Sequence, residues 1–134
     1  MLDPHSALIY TMVIVSASDR DMTDAELAVI GGIVEHLPVF RGFDREKMPG
    51  VLQACTRLLG RDDGLDEAFT EIRAALPGNL RETAYALACD VAAADGEASQ
   101  EELRVLEMMR HRLDIDRLIA AGIERGARAR FQTL

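Results

Sequence analysis

The chain has 134 residues, about half of them apolar, and a formal charge of -8. That length suits one domain with a substantial core. The acidic balance argues against nucleic acid and anionic membrane surfaces, which need lysine and arginine to meet their phosphates. Cys55 and Cys89 are the only cysteines, without a CxxC motif, and fall on apolar helix positions. They read as reduced core residues of a cytoplasmic protein.

The start Leu2-Asp3-Pro4-His5 lacks the basic region of a signal peptide. Asp3 before Pro4 predicts a helix start, since proline at the first helical position loses no needed amide. The apolar run from Ala7 to Ala17 is too short to span a bilayer and predicts a central buried helix ending near Ser18. Thr23 opens a second helix, with Leu27, Ile30, Ile33, Val34 and Leu37 as its apolar line, ending before Pro38. The loop that follows carries Phe40 and Phe43, expected to plug the edge of the core.

A third helical segment begins near Asp44, with Pro49-Gly50 expected to interrupt it and Val51 to Leu59 as its firm part. Residues Gly60 to Gly64 form a turn. Leu65, Ala68, Phe69, Ile72, Ala75 and Leu76 then mark a fourth helix, which ends at Pro77-Gly78. The fifth is expected over about Leu80 to Ala94, the sixth over Gln100 to Leu113, and the seventh from Ile115 to about Arg125. No stretch alternates strictly between apolar and polar residues, so the fold class is all-α, a single-domain bundle of about seven helices. Its core spans about residues 5–125, followed by a basic tail at 126–134 whose arginines complement a helix C-terminus.

Displacing the sequence by 76 positions pairs Val15 with Val91, Asp19 with Asp95, Glu26 with Glu102, Leu27 with Leu103 and Leu37 with Leu113. Two duplicated helical hairpins packed with pseudo-twofold symmetry are expected. Val15, Leu27, Ile30 and Leu37 should then be buried with Val91, Leu103, Leu106 and Leu113.

Each copy turns a corner on acidic residues. Thr23-x-x-Glu26 and Ser99-x-x-Glu102 both match the capping box, in which a hydroxyl and a glutamate satisfy each other's backbone amides. Asp95 continues the apolar line Ala84, Leu87, Ala88, Val91, Ala92 and is expected to lean toward the core. Glu102 continues the line Leu106, Met109, Leu113 and is expected on the inner face. Asp95, Glu97 and Glu102, with Asp19, Asp21 and Glu26 in the first copy, supply hard oxygen ligands of the kind calcium or magnesium takes. The spacing is not that of an EF-hand, because the glutamate comes seven residues after the first aspartate. A pure capping role for the same residues stays open.

No other constellation carries chemistry. His5, His36 and His111 lack zinc spacing, and there is no phosphate loop or GxSxG. Met12, Met108 and Met109 read as core filler.

The corner Ala-x-Ala-Asp-Gly-x-x-Ser-x-x-Glu-Leu, together with Leu76-Pro77 and Leu80-Arg81-Glu82, resembles the tellurite-resistance TerB family over about His5 to Arg125. The second copy matches better, because Ser18-Asp19-Arg20 replaces the Ala-Asp-Gly step in the first. The resemblance implies an all-helical cytoplasmic domain without enzymatic activity, whose acidic residues bind a divalent cation such as calcium. It also implies association with membrane-linked stress and metal-resistance systems through a protein partner, without membrane insertion. The alternative is a helical interaction or homodimerisation module whose acidic corners are only caps.

Overall fold

The computed structural model describes residues 1–19 and 22–134, and its described residues form seven α-helices and no strand. These are α1 (Pro4–Ala17), α2 (Asp24–His36), α3 (Met48–Leu59), α4 (Gly64–Ala75), α5 (Arg81–Ala93), α6 (Gln100–Arg112) and α7 (Arg117–Arg130). The all-α expectation holds.

Helix α1 is the centre of the bundle, and every residue from Ser6 to Ser16 is buried. A helix apolar on all sides has no face to give to water, so neighbours must surround it. Here α5, α4 and α3 do so, while α6 packs against both α5 and α1. Asp3 caps α1 by accepting the Ser6 amide at 2.8 Å. The buried mid-helix hydroxyl of Thr11 donates to the Ala7 carbonyl at 2.9 Å and so enters the core satisfied.

The aromatic loop closes one edge as expected. Phe40 is buried, Phe43 is half-buried, and the His5 ring stacks on Phe40 while its Nε2 lies 2.8 Å from the Val39 carbonyl oxygen. Both cysteines are free and buried, again as expected. No described helix is long and apolar enough to cross a membrane.

Three expectations need correction. Pro49-Gly50 does not interrupt α3 but sits in its first turn, where proline's missing amide has no intrahelical partner to lose. Helix α7 starts at Arg117 and continues to Arg130, past the predicted end at Arg125. Its cap is Asp116, which accepts from the Leu118 and Ile119 amides at 3.1 and 3.3 Å. Its far end is held because Arg130 pairs with Asp90 on α5.

The third correction concerns the matched leucines. Val15, Ile30, Val91, Leu106 and Leu113 are buried and Leu37 is half-buried, but Leu27 and Leu103 are 46% and 50% exposed. Each follows an inward glutamate, and one step along a helix turns a side chain by about 100°. With Glu26 and Glu102 facing inward, their leucine neighbours face out. Met12 and Met109 are core residues, whereas Met108 is exposed.

Candidate functional site

Both corners close their capping boxes with nearly the same geometry. At the first, the Glu26 amide donates to Thr23 Oγ1 at 3.1 Å and the Thr23 amide to Glu26 Oε1 at 3.0 Å. At the second, the Glu102 amide donates to Ser99 Oγ at 3.1 Å and the Ser99 amide to Glu102 Oε1 at 2.9 Å. The reciprocal bonds require each glutamate to fold back over its own first turn.

Those glutamates do not sit in solvent as capping glutamates commonly do. Glu26 is 1% exposed and Glu102 is 2% exposed. Glu26 also accepts from the Ser16 hydroxyl of α1 at 3.2 Å. Glu102 Oε2 is buried without any hydrogen-bond partner among the described residues.

The electrostatics follow from that difference. Burial, the largest cause, pushes the Glu102 pKa from the usual 4.5 to about 8. The neighbouring Glu26 carboxyl adds to the rise. The Ser99 amide pulls the other way, and the charges of Glu26 and Asp19 raise it further. The Glu26 carboxylate therefore acts on Glu102 across the packed helices.

The other expected ligands lie differently. Asp95 and Glu97 are exposed, so the inward Asp95 is not found. Helix α5 stops at Ala93, and Asp95 stands in the turn that follows, off the apolar line that pointed to it. That turn reverses through Gly96, whose φ of +96° suits a residue without a Cβ. Asp19 is half-buried, and Asp21 lies outside the described residues. Among the described residues no group of three or more His, Cys, Asp or Glu side chains is arranged to hold a metal ion. The structure thus brings Glu26 and Glu102 together, with Asp19 within electrostatic reach, and leaves Asp95 and Glu97 at the surface.

Sequence reasoning missed Ser16. Its only signal was a hydroxyl inside an otherwise apolar run, a position that demands a buried partner. It also missed the polar contact between α5 and α7, where the Tyr85 hydroxyl donates to Glu124 Oε2 at 2.5 Å.

These features define a class: an all-helical domain whose corners are closed by buried, mutually facing glutamates. The family model described as tellurite resistance protein TerB matches residues 5–122, and the chain belongs to that family. No curated protein and no solved structure matches it.

Proposed function

We propose that this TerB domain is non-enzymatic and takes up a divalent cation of calcium type where its two corners meet. Glu26 and Glu102 are the inner carboxylates, and Asp19 adds charge beside them. The observation that carries this reading is the buried Glu102 Oε2 left without a donor. A carboxylate oxygen in that position costs free energy unless a proton or a cation meets it.

The residues fit such an ion as hard oxygen donors but not as a complete cage. Calcium takes six to eight oxygens, while magnesium commonly uses one or two carboxylates and keeps water. Water would have to supply the rest of the shell, since Asp95 and Glu97 are exposed on the turn and no third ligating side chain is grouped with the two glutamates among the described residues. When bound, the ion would supply charge compensation. The chain's own residues hold the two helix starts in register around it.

Thermal melts in calcium, magnesium and chelator test the proposal. Binding to the folded state adds about 2.7 kcal/mol at a free concentration 100 times the dissociation constant, which raises the melting temperature by several degrees. Glu102→Gln removes most of that rise, and Asp95→Asn removes less. A parent melt unchanged by millimolar calcium and magnesium overturns the cation reading.

A second reading has its own support. Leu103 and Met108 of α6 are exposed, as are Leu27 and Met22 near the first corner, which suits a helical interaction or homodimerisation surface. Sedimentation that shows only monomer at high concentration removes the homodimer form of it.

A further inference from the structure

A cleft of about 610 Å³ lies between α6 and α7 over the face of α5. Its volume falls within the range of small-molecule sites, roughly 300–1,000 Å³. It exists because α6 and α7 both lean on α5 while small side chains face the space between them. Ala92 and Ala93 of α5 and Ala127 of α7 leave it unfilled, and Leu106, Leu103 and Phe131 complete an apolar lining.

The polar lining is uneven. Tyr85 is already committed to Glu124. Cys89 has its thiol pushed up to about 12, mainly by burial, and stays neutral. Of the charged side chains lining the cleft, Glu97, Glu107, Glu124 and Arg128 are exposed, and Arg110 alone is half-buried. Among the described residues neither Arg110 nor Arg128 has a carboxylate within salt-bridge distance, although acidic residues outnumber basic ones in this chain by 23 to 15. Among the described residues the Arg110 guanidinium hydrogen-bonds only the ring of His111, at 3.0 Å. The least solvated charge on the cleft is thus a cation for which the described residues leave most of its five donors unused.

We propose that this cleft binds a small single-chain amphiphile with a carboxylate head, its chain on the alanine and leucine lining and its head on Arg110, with Arg128 adding attraction from the opposite wall. A planar guanidinium matches a carboxylate with two parallel hydrogen bonds, which neither an alcohol nor an amine head can accept. The exposed glutamates at the mouth set a second requirement, because they disfavour heads carrying more than one negative charge.

The test uses the full chain in chelator, so that it is independent of any cation at the corners. Sodium decanoate, decanol and decylammonium are titrated separately, below their micellar concentrations, with amide chemical shifts as the readout. Decanoate should saturate, move amides along the facing sides of α6 and α7, and bind about tenfold or more tightly than the other two. Arg110→Gln combined with Arg128→Gln keeps polar side chains at both positions but removes their charge, and should weaken decanoate about tenfold while leaving decanol unchanged. Non-saturating shifts, equal or tighter binding of the alcohol or the amine, or a doubly substituted chain that binds decanoate as the parent does each overturn the proposal.

Discussion

The two corners share a capping box to within about 0.1 Å in both of its bonds, yet they hold their glutamates in different surroundings. The first corner gives Glu26 the Ser16 hydroxyl. At the position 76 residues later stands Ala92, buried and with nothing to donate. Glu102 accordingly keeps an orphaned oxygen and a raised pKa. The same local motif can therefore be a finished cap in one place and an electrostatically loaded one in another. A single hydroxyl on the neighbouring helix is the visible difference.

The largest effect should come from removing the charge. Glu102 takes up its proton in the folded state at about pH 8, against the usual 4.5 when exposed. Between those values the folded chain binds more protons than the unfolded one, so stability falls as pH rises through that window and levels off above about 8. Glu26 and Asp19 face the same carboxyl and drive it in the same direction. Glu102→Gln keeps the acceptor for the Ser99 amide but cannot ionise. Its melting temperature should be flatter from pH 5 to 9 and should exceed the parent's at the alkaline end. A parent profile already flat across that window would break the contrast between the corners.

Next in size is the hydroxyl itself. Ser16→Ala removes a buried bond to a carboxylate and should cost about 1.5 kcal/mol by denaturant unfolding, since bonds to charged groups contribute more than neutral ones. The reciprocal Ala92→Ser offers Glu102 a donor and should draw its titration back toward acid. If Ser16→Ala melts like the parent, the hydroxyl is not what separates the two corners.

The smallest effects belong to what the corners share. Thr23→Ala and Ser99→Ala each delete one side-chain acceptor at a helix start and should each cost about 1 kcal/mol. Equal losses in thermal melts would confirm that the capping geometry is common to both. Markedly unequal losses would place the asymmetry in the caps.

Much of this fold could be read from local chemistry. Asp3-Pro4, Thr23-x-x-Glu26 and Ser99-x-x-Glu102 announce helix starts because capping is settled within four residues. All seven helices have at least one end within two residues of its expected place. The end of α7 was less legible, since it depends on Arg130 reaching Asp90 on another helix. The acidic corner was legible as a pattern but not as a geometry. Extending the α5 periodicity to Asp95 assumed that the helix runs that far, and it ends before it does. The pairing of Glu26 with Glu102 depends on how the helices cross, which no spacing along the chain encodes.

The burial of α1 also bears on how the protein is made. This helix is made before the walls that cover it, and α5, one of them, ends only at Ala93. At about 5–20 residues per second, the wait is on the order of ten seconds. Until then the nascent chain carries an apolar segment that only α3 and α4 can partly cover. The most protected helix of the finished bundle is thus only partly covered until α5 has been made.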